Sequence, residues 1–240
     1  IFLKKRFYQL KIILMGILTG LCNGLFGAGG GMIVVPSMVH FLDVDEHDAH
    51  ATAIAVILPL AVISAFIYFR NGYLDFGKAL PVAAGEFWVD LRAHISFTVY
   101  PPIGAKDIRA VYDCSRRKDD FLKLLLFAIG LVSGVVSGMG IGGGTVLIPA
   151  MIFLAGVSQH SAQGINLTVF IPTALVAICV HSKNKHIRFR LALPLMLAGA
   201  FGAVLGSILA SSMPSRLLGK LFGGFLLGMG LYELFRKKKS

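Results

Sequence analysis

The sequence is short of charge. Only 15% of its 240 residues are Asp, Glu, Lys or Arg, against about 25% in an ordinary soluble domain. Acidic residues are scarcest, 12 against 23 Lys and Arg. So few charges cannot dress a water-facing surface. With 56% apolar residues and a mean hydropathy of +0.77, the chain reads as an all-α, polytopic membrane protein. Cysteine is sparse too. Cys22, Cys114 and Cys179 are odd in number and fit neither a disulfide framework nor a metal site. Cys22 and Cys179 lie in apolar runs and read as small hydrophobes. No Gly-Lys-Ser/Thr closes a phosphate loop, no βαβ pattern surrounds the glycines, and no nucleophile–base pairing stands out. Neither an enzyme nor a cofactor is indicated.

The net charge of +11 is bunched between apolar runs, at Lys4–Arg6, Arg116–Lys118, Lys183–Arg190 and Arg236–Lys239. That is topology signal, which places such loops and both termini on the cytoplasmic side. It is no folded basic face, so a nucleic-acid partner is not expected. The first apolar run has no small-residue cleavage site and reads as a retained helix.

Glycine is what the chain has in quantity. Gly24-Leu-Phe-Gly-Ala-Gly-Gly-Gly-Met-Ile-Val-Val-Pro36 returns as Gly138-Met-Gly-Ile-Gly-Gly-Gly-Thr-Val-Leu-Ile-Pro149. Each copy interrupts a long apolar run. Leu10–Leu42 would make a helix of about 50 Å across a hydrocarbon core of about 30 Å, so it must break. A glycine costs about 1 kcal/mol relative to alanine inside a helix. The expectation is a half-helix to about Leu25, a turn through Gly27–Gly31 and a second piece to Leu42. Backbone freed at such a break has to be buried in protein or line a wet cavity.

The motif belongs to a longer repeat. A shift of about 113 residues lays Gly29–Gly31 on Gly142–Gly144, Pro36 on Pro149, His47 on His160, Pro59 on Pro172 and Leu80-Pro81 on Leu193-Pro194. One residue slips before Gly27, so that Gly16, Gly20 and Gly24 fall on Gly130, Gly134 and Gly138. The halves are 1–120 and 121–240. The loops near Arg70/Lys78 and Lys183–Arg190 are equivalent and basic, while those near Asp43–Asp48 and Gly156–His160 are equivalent and lack Lys and Arg. Read by charge, both halves start and end inside. The expectation is two parallel repeats of four crossings each, related by an axis along the membrane normal.

Residues 86–120 break the pattern. Twelve charged residues stand there, whereas the counterpart Gly199–Glu233 has Arg216, Lys220 and Glu233. The six from Asp90 to Asp113 would cost about 15 to 20 kcal/mol as parts of spans. Length and Pro101 are kept in register with Pro214. A reading-frame shift restored before Phe121, or a polar insertion, produces that signature, and two crossings are lost together.

The two glycine motifs, in Gly20-Leu-Cys-Asn-Gly24-Leu-Phe-Gly-Ala-Gly-Gly-Gly31 and Gly134-Val-Val-Ser-Gly138-Met-Gly-Ile-Gly-Gly-Gly144, with Gly164-Ile-Asn-Leu-Thr168, resemble the sulfite exporter TauE/SafE family of membrane permeases. The resemblance covers nearly the whole chain outside residues 86–120. It implies a bacterial inner-membrane carrier of small anions, often sulfur-containing ones such as sulfite, sulfonates or thiosulfate. The departure at 86–120 keeps a second reading open, a defective copy or a non-transporting scaffold. A channel is a third.

Amide groups at broken helix ends suit an anion, since the helix dipole adds partial positive charge there. The candidate binding residues are Gly29, Gly30, Gly31, Gly142, Gly143, Gly144, Thr145, Asn166 and Thr168. Close helix packing competes as the role of the glycines, and an interhelical hydrogen bond as that of Asn166. His50, opposite Gln163 in the repeat, reads as an interfacial histidine. The acidic run Asp43–Asp48 reads as a solvated loop. No carboxylate within a span stands out as a coupling group.

Overall fold

The computed structural model describes residues 2–95, 118–138, 143–183 and 186–235. Nine α-helices and no strands occur among them: α1 Phe2–Phe26, α2 Gly29–Phe41, α3 Glu46–Arg70, α4 Phe76–Ile95, α5 Lys118–Gly138, α6 Gly144–Ala155, α7 Gln159–Lys183, α8 Phe189–Ser212 and α9 Ser215–Phe235. Five of these, α1, α3, α7, α8 and α9, are long and apolar enough to cross a membrane. Large apolar side chains such as Leu80, Phe153, Leu197 and Phe201 point outward, as a lipid-facing surface requires.

Both expected breaks are present. The first is tighter than expected. Only Gly27 and Ala28 interrupt the helix, and Gly29–Gly31 form the first turn of α2. The second lies between α5 and α6; residues 139–142, Gly142 included, fall outside the description. With 13 and 12 residues, α2 and α6 are about 19 and 18 Å long, too short for a core of about 30 Å. They are half-helices that start inside the bundle.

Direction follows from contacts along the helices. On α1, Gly16 packs on Leu195 and Ala198, Gly20 on Gly199, and Gly24 on Ala203 and Ser207, so α1 and α8 run parallel. A Cβ on Gly20 would sit inside the Gly199 carbonyl; only glycine lets the two backbones approach so closely. The same contact recurs between α5 and α4, where Gly130 packs on the Val82 carbonyl and Gly85 on Phe127 and Leu131. α3 also runs with α8. The Arg188 amide donates to Thr52 Oγ1 at 3.1 Å near its start, and Tyr73, just past its end, donates to the Ser211 carbonyl at 3.2 Å.

α7, the counterpart of α3, runs the other way. Its start lies at the end of α3, where the His160 ring stacks on Tyr73 at 4.4 Å. Beyond its end, His186 and Arg188 reach Asp48 at 3.1 and 3.0 Å, at the start of α3. Equivalent helices are therefore antiparallel, and the parallel repeat expected from charge is corrected to an inverted one. The expected four crossings of the first half run through residues 96–117, which fall outside the described residues. The first glycine half-helix leads out to the face of Asp48 and Arg188, the second to the face of Tyr73 and His160.

The charge argument failed at a weak loop. Arg70 and Lys78 are the only basic residues between α3 and the middle of α4, and Lys78 is paired with Asp75 at 2.9 Å. Arg188 and Arg190, at the start of α8, lie on the opposite face, where α1 also begins. The charged stretch that opens at Glu86 does not end the helix. α4 continues to Ile95, and Glu86 is buried. The rest of the anomalous stretch, from residue 96 to 117, falls outside the described residues.

Candidate functional site

The first break is set by Gly27. Its φ of 72° is left-handed, a conformation that a side chain disfavours by about 1 to 2 kcal/mol. A Cβ there would also press on Gln163 at 2.9 Å. The Gly27 amide closes α1 on the Asn23 carbonyl at 2.8 Å. Ala28 then caps α2 with no side-chain hydrogen bond to its free amides. The N-cap of α6, Gly143, likewise offers none. Two helix N-termini thus end without side-chain caps, each carrying about half a positive charge.

The two ends meet. A Cβ on Gly144 would collide with the Cβ of Ala28 and lie 2.5 Å from Asn166 Nδ2. Asn166, from α7, donates that amide to the Gly27 carbonyl at 2.7 Å. One side chain therefore spans both breaks. α2 leads from this point to one face and α6 to the other, so their positive ends converge inside the bundle.

The remaining candidates divide. A Cβ on Gly30 would lie 3.2 Å from Asn23 Cβ, and one on Gly31 3.5 Å from Ile57; Gly29 opens α2. Gly143 lies against Ser133 and Ser137. Gly142 is outside the description. Thr145 is half-buried in the first turn of α6. Thr168 turns back on its own helix, donating to the Gly164 carbonyl at 2.9 Å, and is not drawn to the junction by any such bond. His50 is half-buried in the first turns of α3. In the acidic run, Asp48 is engaged by His186 and Arg188. Among the described residues no three His, Cys, Asp or Glu side chains gather as metal ligands would.

Four further polar groups surround the junction. Asn23 is 2% exposed and its Nδ2 has no partner; Gln163 is fully buried and its Nε2 has none. Gln163 Oε1 lies 2.8 Å from the Tyr68 hydroxyl, which also reaches the Gly24 carbonyl at 3.2 Å. An unpaired buried amide costs about 1 to 3 kcal/mol, so such groups mark a place where another acceptor fits. Asn23 sits within the first glycine motif, opposite Ser137 in the repeat, and that polar pair was the available signal. The fourth is Glu86. It is 5% exposed and joined to Ser133 Oγ at 2.6 Å, a buried carboxylate halfway along α4 that the sequence reading did not single out.

Comparison with known proteins identifies a family. The family model described as sulfite exporter TauE/SafE matches residues 3–89 and 126–240. Among similar curated proteins, a probable membrane transporter protein, YunE, of Bacillus subtilis (strain 168) is 23% identical over 82% of this chain and 86% of its own length. A probable membrane transporter protein of Xylella fastidiosa (strain 9a5c) is 23% identical over 94% of each chain. A third, ORF9 of Sinorhizobium sp, is 30% identical over 46% of this chain and 42% of its own. No solved structure matches. The matched segments carry both glycine breaks and Asn166, and the chain is a membrane transporter that belongs to the sulfite exporter TauE/SafE family.

Proposed function

We propose that this transporter moves small oxyanions, sulfur-containing ones of the sulfite, sulfonate or thiosulfate type, across a bacterial cytoplasmic membrane. The observation that carries the reading is the convergence of the α2 and α6 N-termini at Asn166, beside the unpartnered amide of Asn23. Gly29–Gly31 and Gly142–Gly144 supply backbone N–H groups, with Thr145, Asn166 and Thr168 as side-chain contributors. Neutral donors and half-charges hold an anion without trapping it, whereas a buried lysine or arginine at close range would bind it far more strongly. An inverted arrangement of halves around a central site suits alternating access by rocking of one half against the other. Arg6 near the start of α1 and Arg188 and Arg190 at the start of α8 share one face, which the positive-inside rule makes cytoplasmic in this reading, and α9 leads back toward it.

The experiment is uptake of radiolabelled sulfite, thiosulfate or methanesulfonate into vesicles holding the full chain. Saturable flux that is lost in Asn166→Ala and in Gly143→Leu, with both variants still inserted, supports the site. Unchanged flux in both removes it, and flux that never saturates favours a channel. The second reading, a non-transporting scaffold or defective copy, is favoured by one observation. The family match stops between residues 89 and 126, where the charged stretch lies. Absence of flux for every anion tested, in a chain that inserts and packs, supports it.

A further inference from the structure

Glu86 lies halfway along α4, with Ser133 of α5 beside it, fully buried. Ser133 Oγ is 2.6 Å from Glu86 Oε1 and 3.1 Å from the Gly143 carbonyl. A serine hydroxyl has one hydrogen and cannot donate to both. With Glu86 protonated, its O–H donates to Ser133 Oγ and the Ser133 hydroxyl donates to Gly143 O, so the three groups form one chain. With Glu86 ionised, the carboxylate is an acceptor only and takes the Ser133 hydrogen, and Gly143 O loses that bond. Gly143 is the N-cap of α6, and its carbonyl also accepts from the Val146 and Leu147 amides. The charge on Glu86 therefore sets how firmly the end of the second half-helix is held to α5.

We infer that Glu86 is a proton carrier, which couples movement of an anion at the glycine junction to movement of a proton by switching Ser133 between Glu86 and Gly143. The inference rests on the transport reading above. The proton enters from water on one face and forms an O–H bond at a Glu86 oxygen. It returns to water on the other face when that bond breaks, and no electron pair changes hands between residues. Ionisable groups inside membrane spans mark such pathways. The other half has no equivalent. Gly199 stands opposite Glu86 in the repeat and packs on Gly20, and Thr19, opposite Ser133, has a hydroxyl without a partner. One half alone carries the protonatable pair.

Along the described helices packed around Glu86, the ionisable residues are these. On α4 they are Lys78, paired with Asp75, and Asp90, Arg92 and His94 further along. On α5 they are Lys118, Asp119, Asp120 and the exposed Lys123, in its first two turns. On α7 they are His160, bound to Ser215 and the Ala210 carbonyl, with Cys179 and His181 toward the opposite end. α6 has none.

Two measurements on the full chain in liposomes test this. Infrared difference spectra between acid and alkaline buffer, with no anion added, read the protonation of Glu86 directly. A carboxyl C=O band is expected in the wild type, absent in Glu86→Gln and displaced in Ser133→Ala, where the hydrogen bond is gone. Inward thiosulfate gradients, with a pH dye inside, read the coupling. Wild-type thiosulfate entry is expected to bring protons with it, and whatever thiosulfate Glu86→Gln still moves should bring none. Absence of a Glu86-dependent band overturns the inference, as does proton entry that survives in Glu86→Gln. Should Glu86→Gln fail to insert, an undisplaced band in Ser133→Ala overturns it instead. A wild type that shows the band but moves neither thiosulfate, sulfite nor methanesulfonate overturns the transport reading while Glu86 still takes up a proton.

Discussion

Asn166 donates its side-chain amide to the carbonyl of Gly27, 139 residues earlier in the chain, at 2.7 Å. The bond closes the first helix break with a residue from the second half of the chain, and the same amide lies against Gly144 at the second break. Neither break is completed locally. Each is finished by a group that the fold delivers from elsewhere.

Replacing Asn166 by alanine strands the Gly27 carbonyl in a buried position, at about 1 to 3 kcal/mol. We expect a lower unfolding midpoint in detergent together with loss of anion flux. Asn166→Asp is the informative partner, because it keeps the size and turns a donor into an acceptor facing another acceptor. It should lose flux at least as completely as alanine. Wild-type flux in both variants would separate Asn166 from transport.

The contact of Gly20 with Gly199 should tolerate no side chain. Gly20→Leu forces backbone apart along the α1–α8 seam, and overpacking of this kind costs about 1 to 3 kcal/mol or more. Gly223→Leu is the control, since nothing lies within 4 Å of a Cβ there. We expect poor yield of folded protein from the first and ordinary yield from the second, measured by size-exclusion profile and thermal melt. Equal behaviour would mean that α1 and α8 do not meet at Gly20.

The inverted arrangement is checked by single cysteines on a background lacking Cys22, Cys114 and Cys179. Gly72→Cys and Ser158→Cys should react with a membrane-impermeant thiol reagent from one side of the membrane, and Asp45→Cys and Arg188→Cys from the other. The parallel arrangement pairs position 72 with 188 and 45 with 158. The labelling pattern therefore decides between the two without any transport assay.

The loop between α3 and α4 carries a small pH response. Hydrogen bonding to Lys78, with its charge adding, holds the Asp75 carboxyl below its ordinary range. A lowered folded-state value means that the pairing supports the loop above the ordinary carboxylate range and is lost as pH falls through the lowered one. Lys78→Met should return Asp75 to ordinary titration, followed by carboxyl chemical shift. Both side chains are well exposed, so the melting temperature should hardly move, as for most surface ion pairs.

The sequence by itself determined the class, the membrane habit and the positions of both breaks. These are local or compositional matters: an apolar run too long for the bilayer, and glycines where a helix cannot comfortably continue. It also singled out Asn166, because an unpaired amide among apolar neighbours is conspicuous in one dimension. Only the tertiary structure decided which way each half runs. Loop charge is a weak vote when one loop holds two cations and an Asp75 that pairs with one of them, whereas Asp48 meeting Arg188 and Tyr73 stacking on His160 fix the direction by contact. Asn23, Gln163 and Glu86 became visible for the same reason. Whether a polar side chain has a partner depends on groups that fold up against it from far along the chain.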